Sequence, residues 1–181
     1  MHQHPDTNVF TVRPALATDC TVLSSFVNSA YRGQSSKAGW TTEADLLDGQ
    51  RVDAAGLREA IGKQGSVVLL HEAAGEIIAC VALDRRARDC HLGMLSVSPT
   101  RQSAGLGRRL LVAAELYALE KFAATRMSMS VIVQRPELIA WYERRGYQRT
   151  GRFEPFPYGD ERFGLPRRPD LRFEILEKPL P

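Results

Sequence analysis

Residues 92–117 change period within a few positions, and that change forces a strand, a turn and a helix in close succession. Leu92 to Val97 is a short apolar run closed by Pro99, the pattern of a buried strand. From Leu106 onward the spacing is helical: Leu106, Leu110, Ala113, Ala114 and Tyr117 fall on one side, while Arg108, Glu115 and Glu120 fall elsewhere. Gly105 and Gly107 stand between the two elements. Glycine admits unusual φ and lets another group approach the backbone closely. The first amides of the helix face that space, aided by the positive end of the helix dipole, and Arg101, Arg108 and Arg109 add charge. The residues alone leave two readings open, a tight ligand-free turn and an anion cradle.

Two familiar phosphate loops are excluded. A P-loop requires G-x-x-x-x-G-K-[ST], and no Lys follows Gly107. A dinucleotide turn requires G-x-G-x-x-G, and position 110 is Leu. What stands here is Gln102-x-x-Gly105-x-Gly107, after a strand and opening a helix. This pattern resembles the acyl-CoA pyrophosphate loop, Q/R-x-x-G-x-G/A, of the GNAT superfamily of N-acetyltransferases. A second stretch, Tyr142-Glu143-Arg144-Arg145-Gly146-Tyr147, resembles the end of the short helix that forms the other signature of that family. Pro136 suits its first turn and Gly146 its stop. The match departs at Ala140, two residues before Tyr142 rather than three, and Gln134 stands where the family often has Asn.

The rest of the chain reads in the same sense. Val9 to Arg13 is a strand ended by Pro14, and Ala17 to Tyr31 a helix buried through Val22, Leu23, Phe26, Val27 and Ala30. Arg32 to Trp40 is a loop, Thr41 to Leu47 a helical turn, and Asp53 to Ile61 a second helix capped by Asp53. Ser66 to His71 and Glu76 to Leu83 form a hairpin around Ala73-Ala74-Gly75, and the charged run Asp84 to Asp89 is the next turn. Met127 to Val133 and Leu171 to Glu177 alternate as strands, Arg149 to Phe153 begins another, and Glu154 to Pro169 is a loop rich in Pro and Gly. The order β-α-α-β-β-β-α-β-α-β-β matches the GNAT layout. It implies an α/β (α+β) fold with a mixed, mostly antiparallel central sheet, flanking helices, and strands splayed at the acetyl-CoA site. Residues 9–181 then form a single N-acetyltransferase domain behind a flexible tail, residues 1–8. The motifs themselves lie in about residues 92 to 153.

Composition bounds the class. The 181 residues are 44% hydrophobic and 25% charged, ordinary for a soluble globular domain. A net charge of +3 does not argue for nucleic acid, and no run approaches the ~20 apolar residues of a membrane span. Cys20, Cys80 and Cys90 show no C-x-x-C pairing and, with no apolar leader at the N-terminus, read as reduced core thiols of a cytoplasmic protein. His2 and His4 sit in the terminal tail, and no metal site is expected.

The resemblance implies acetyl-CoA as cosubstrate and an amine as acceptor. It places main-chain groups of Leu95, Ser96 and Val97 against the pantetheine arm and acetyl carbonyl. The pyrophosphate falls to the turn Gln102, Ser103, Ala104, Gly105, Leu106, Gly107 and Arg108, and Gln134 also falls at the cofactor. Tyr142 stands at the position of the tyrosine near the CoA sulfur, a general acid for the departing thiolate; Trp141 and Tyr147 read as packing residues. The strand before the loop carries His91, Ser96 and Ser98 but no carboxylate, so the family's strand Glu is absent. Glu43 and Asp45 are the base candidates, followed by His71 and His91. Segment 31–51 and the loop from Pro155 to Pro169 would shape the acceptor pocket. Two functions stay open: N-acetyl transfer to a primary amine of a small molecule or peptide through a ternary complex, and an acetyl-CoA-binding sensor without turnover. Monomer and homodimer both stay open, though many relatives dimerise.

Overall fold

The computed structural model describes residues 10–181. The expected tail, with His2 and His4, and the strand start at Val9 lie outside the described residues. In chain order the elements are β1 (Arg13–Pro14), α1 (Cys20–Tyr31), α2 (Gly33–Ser36), β2 (Leu47–Asp48), α3 (Ala54–Gly62), β3 (Ser66–Ala73), β4 (Glu76–Arg86), β5 (Asp89–Val97), α4 (Leu106–Phe122), β6 (Arg126–Ile132), α5 (Pro136–Glu143), β7 (Gln148–Pro155), β8 (Leu165–Pro166) and β9 (Arg172–Pro179). Seven strands form one sheet in the order β1-β3-β4-β5-β6-β9-β7, antiparallel at every step except β5–β6. This is the mixed, mostly antiparallel sheet flanked by helices that the element order implied.

Period-2 alternation divides the core between two faces. Val68, Leu70 and Cys80 pack with Cys20, Leu23, Val27 and Leu57 of α1 and α3. Leu69, Val81 and Leu83 pack on the other face with Leu110, Ala114 and Ala118 of α4 and Ile139 and Tyr142 of α5. All three cysteines are free and buried, and burial pushes the Cys80 and Cys90 thiols up to about 12, so they are inert fillers. The deepest stripe of α4 is Leu106, Leu110, Leu111, Ala114 and Ala118, so Leu111 and Ala118 take the depth expected of Ala113 and Tyr117.

Several boundaries differ from the sequence reading. β4 runs on to Arg86 and β5 starts at Asp89, because the side chains of the charged run alternate along solvated strand ends. Ala74 and Gly75, both at positive φ, close the β3–β4 hairpin as a two-residue turn. Thr41 to Leu47 makes one hydrogen-bonded turn, from the Leu46 and Leu47 amides to the Glu43 carbonyl, then passes into β2. β2 pairs with β8 inside the Pro-rich loop, which ties the two segments expected to flank the acceptor. No helix among the described residues is long and apolar enough to cross a membrane.

Candidate active site

The parallel pair β5–β6 lasts three residue pairs, Asp89 with Arg126, Cys90 with Met127 and His91 with Ser128. Beyond His91 the strands part, and the β6-facing edge of Leu92 to Val97 has no strand partner among the described residues. On its other edge β5 carries a bulge: Cys80 opposes Ser96 while Ala82 opposes Gly93, one residue too many on β5. Met94 takes up the excess at φ +53°, and its carbonyl accepts from Ser96 Oγ at 3.0 Å. The Leu95 carbonyl accepts from Tyr31 Oη at 2.9 Å, which ties the bulge to the end of α1. α5 stands in the opened wedge, with Leu138 and Tyr142 lining cavities on both of its sides.

One cavity, of about 250 Å3, lies over the glycine turn. Leu95, Val97, Gln102, Gly105, Gly107 and Arg108 line it together with Trp40, Trp141 and Arg145. Gly105 sits at φ +72°, between the 3-10 turn Pro99–Ala104 and α4. The first helical bond of α4 runs from Arg109 N to Gly105 O, so the Leu106, Gly107 and Arg108 amides have no intrahelical acceptor. A Cβ on Gly107 would lie 3.4 Å from the Trp141 ring, so glycine keeps this wall low. Arg145 lies 3.5 Å over the Trp141 ring and donates to the Trp141 carbonyl at 2.6 Å, and its Nε is buried without a partner among the described residues. Burial, then Arg144 and Arg108, lower its pKa, which marks a local surplus of positive charge. Gln102 Oε1 accepts from Trp40 N at 2.9 Å, and only a glycine at position 39 leaves room for that carboxamide.

The other cavity, again about 250 Å3, lies on the far side of Tyr142. Arg32, Glu43, Arg51, His91, Arg135 and Glu154 supply its polar lining, and Phe156, Phe163 and Phe173 its apolar wall. Glu43 is 6% exposed and clamped: Arg135 Nη1 donates to Oε1 at 2.8 Å and Arg32 Nη1 to Oε2 at 2.5 Å. Burial alone would raise its pKa, but Arg135, Arg51 and Arg32 together outweigh burial and hold it below the usual carboxylate range. Sequence reading put Glu43 forward as a base. Both of its oxygens are bound to guanidinium, and a carboxylate so held is a poor proton acceptor. Asp45 pairs with Lys37 at 2.9 Å and His71 bonds the Thr11 carbonyl at 2.7 Å, and neither lines either of these two cavities. His91 does line the arginine-rich cavity; burial, then Arg86, lower its pKa to about 4 against the opposing pull of Asp84, so it is neutral at pH 7.

Tyr142 is 5% exposed and lines both cavities. Burial, reinforced by Tyr31, raises its pKa above the ordinary phenol range, so its proton stays on at any physiological pH. Among the described residues its hydroxyl makes no hydrogen bond, and its ring is held edge-on between Trp141 and Tyr147. Tyr147 is a packing residue, its hydroxyl on Glu115 at 3.0 Å.

The structure thus gathers Leu95, Val97, Gln102, Gly105, Gly107, Arg108 and Tyr142 around one space. Ser103 and Ala104 lie in the turn that precedes it, and Leu106 points into the core. Ser96 was expected through its main chain, which runs along the same strand edge as Leu95 and Val97, while its side chain is buried and bonds back to the Met94 carbonyl. Gln134 donates from Nε2 to the Asp170 carbonyl at 2.7 Å and lines neither cavity. Its neighbour Arg135 lines both instead. Sequence reading did not single out Arg135, Arg51 or Arg145 as site residues, and it took Trp141 for packing. No local pattern marks Arg135, which gains meaning only beside Glu43, 92 positions earlier in the chain.

Comparison with known proteins agrees with this geometry. Residues 38–154, more than half the chain, match the family model described as an acetyltransferase (GNAT) domain. Among solved structures, the ribosomal-protein-S18-alanine N-acetyltransferase of Escherichia coli is similar at TM-score 0.69 and 16% identity, over 95% of this chain and 94% of that one. The yncA structure of Salmonella typhimurium, with its cofactor acetyl-CoA, matches at TM-score 0.69 and 20% identity, over 95% and 94%. A spermidine N-acetyltransferase SpeG chimera from Vibrio cholerae and hSSAT matches at TM-score 0.68 and 16% identity, over 94% and 95%. At such identities the solved structures speak for the fold, and the domain match speaks for descent: the chain belongs to the GNAT acetyltransferase family.

Proposed function

We propose that this protein transfers an acetyl group from acetyl-CoA to a primary amine of a small molecule or peptide, directly, in a ternary complex. The observation that carries the reading is that two cavities meet at Leu95 and Tyr142, where β5 and β6 part. The cavity over the glycine turn suits the donor. It combines helix-start amides without an intrahelical acceptor, an αL glycine, a wall where a Cβ on Gly107 would touch the Trp141 ring, and the Arg108 and Arg145 cations. The unpaired edge of Leu92 to Val97 suits an extended arm that carries amides.

The donor supplies the thioester, and the chain supplies placement and protons. The wedge brings an amine in the arginine-rich cavity to the carbonyl carbon held at Leu95. Tyr142, protonated and without a hydrogen-bond partner among the described residues, donates to the departing sulfur and regains a proton through water, which carries the one shed by the amine. His91 is neutral but too weak a base to store the amine proton at pH 7, so it accepts hydrogen bonds and the proton leaves through water.

The test is purified protein with acetyl-CoA and a panel of amines, read by release of the CoA thiol and by the mass of the acetylated product. Turnover on at least one amine, together with saturable acetyl-CoA binding in calorimetry, supports the reading. Binding without turnover on any amine would make the protein a sensor, and failure to bind acetyl-CoA would remove the donor assignment.

A further inference from the structure

The arginine-rich cavity carries more positive than negative charge. Its lining holds three guanidiniums, Arg32, Arg51 and Arg135, against two carboxylates, Glu43 and Glu154. Arg32 and Arg135 share Glu43 between them, and Arg32 Nε, Arg32 Nη2 and Arg135 Nε have no partner among the described residues. Glu154 stands at an exposed edge and accepts from Ser130 Oγ at 3.3 Å. Arg51 feels the charge of Glu43, which Arg32 and Arg135 already clamp, but it forms no ion pair of its own among the described residues, and its guanidinium lies 5.5 Å from the Tyr31 ring. Partly buried positive charge without a counter-ion is costly, and a bound anion relieves that cost.

We propose that the acceptor is an amine that also bears a carboxylate, an amino acid or a close analogue, and that Arg51 pairs with that carboxylate. The placement of Arg51 is prepared in advance. Asn28 Oδ1 accepts from the Arg51 amide at 2.6 Å, and Asn28 Nδ2 donates to the Val52 carbonyl at 2.8 Å, which fixes the backbone that carries the guanidinium. Tyr31, beneath that guanidinium, reaches the Leu95 carbonyl, so the carboxylate end and the reacting end are spanned by one side chain. Phe156 and Phe173 form the wall that takes the acceptor's side chain. The volume of about 250 Å3 lies below the ~300–1,000 Å3 of drug-sized pockets and suits a single amino acid. A polyamine would add positive charge to a cavity that already has a surplus.

This inference rests on the acetyl-transfer reading for its amine end only, and the experiment separates the two. Free amino acids, their primary amides and spermidine are compared as acceptors with the full chain and acetyl-CoA. In parallel, each acid and its amide are titrated calorimetrically into protein saturated with CoA. The acid is expected to exceed its own amide at least tenfold in kcat/KM and in affinity, although the amide's less basic amine is the better nucleophile at neutral pH. Arg51→Met should bring that ratio close to one, chiefly through KM, and Arg51→Lys should restore part of it. An amide equal to or better than its acid, spermidine as the best acceptor, or an unchanged ratio in the Met variant would each overturn the inference. So would a failure of acid and amide alike to bind. Acid-selective, Arg51-dependent binding without turnover would uphold it while overturning the transfer reading.

Discussion

Replacing Glu43 with Gln separates a structural carboxylate from a catalytic one. In the native protein Glu43 joins Arg32, at the end of α1, to Arg135, at the start of α5, and all three side chains are less than a tenth exposed. Glutamine keeps the shape but removes the charge, so two buried guanidiniums are left facing a neutral group. Breaking a buried ion pair from one side costs about 3–5 kcal/mol, a large share of the ~5–15 kcal/mol that holds a domain together. For a chain of this size such a loss lowers the melting temperature by roughly 6–20 °C. Urea unfolding at pH 7, followed by the fluorescence of Trp40 and Trp141, measures it directly. The pH dependence has a definite sign. Because the folded pKa lies below the unfolded one, the stabilisation is complete above the ordinary carboxylate range and is lost as pH falls through the depressed value. The variant should therefore lose stability at neutral pH and show a shallower acid limb, while its remaining turnover, assayed well below its melting point, keeps the wild-type pH–rate shape. If Glu43→Gln instead unfolds within about 1 kcal/mol of wild type and its turnover collapses with loss of a basic limb, the carboxylate is the base and the clamp is incidental.

Three other perturbations follow from the same geometry. Tyr142→Phe should lower kcat by roughly a hundredfold or more while acetyl-CoA affinity stays within about twofold, since it removes a proton donor and little volume; equal turnover across pH would take Tyr142 out of the mechanism. Gly107→Asp puts a side chain 3.4 Å from the Trp141 ring and a negative charge beside the helix-start amides, so calorimetric CoA affinity should drop tenfold or more, about 1.4 kcal/mol, and an unchanged affinity would refute the cradle. His91 titrates near 4 when folded against 6.5 when unfolded, so the unfolded chain takes up the proton first. Stability should then fall by about 3 kcal/mol between pH 6.5 and pH 4, and His91→Gln should flatten that slope; an identical slope in the variant would show that His91 is not buried as a neutral ring.

Elements governed by local chemistry were legible in the chain, and elements made by distant contacts were not. Asp53 announced α3 because its carboxylate accepts from the Gly56 amide at 2.7 Å, a bond that three residues suffice to predict. Gly105 announced the turn because glycine takes φ +72° without the strain that a side chain would add. Tyr142 was found through a pattern of adjacent residues. By contrast β2 and β8 are two-residue strands that exist only because Leu47 meets Pro166 and Asp48 meets Leu165. Glu43 was noticed as an acid near the right loop, but its role turns on Arg32 and on Arg135, which no spacing rule connects to it. Gln134 is the opposite case: the position picked out by motif bonds the Asp170 carbonyl, while its neighbour Arg135 lines both cavities.

The open wedge explains why these parts must occur together. A sheet that leaves the partly buried stretch Leu92 to Val97 without a strand neighbour on one edge, among the described residues, leaves main-chain donors and acceptors to be satisfied there, and buried peptide groups are almost always paired. α5 does not meet that need with its own backbone, since its peptide groups are spent within the helix; it presents side chains, Leu138 and Tyr142, and keeps the edge apart. The bulge at Met94 and the Tyr31 bond to the Leu95 carbonyl then fix the one stretch of β5 that a regular ladder would have left adjustable. On the proposed reading, an extended ligand with amides along its length would complete the edge as a strand does, and a thioester at its tip would lie beside Tyr31 and Tyr142, the two phenols that line both cavities. Of those two hydroxyls Tyr31 is bound to the strand, and Tyr142 has no hydrogen bond among the described residues, which is why the proposed transfer assigns the proton for the leaving sulfur to Tyr142.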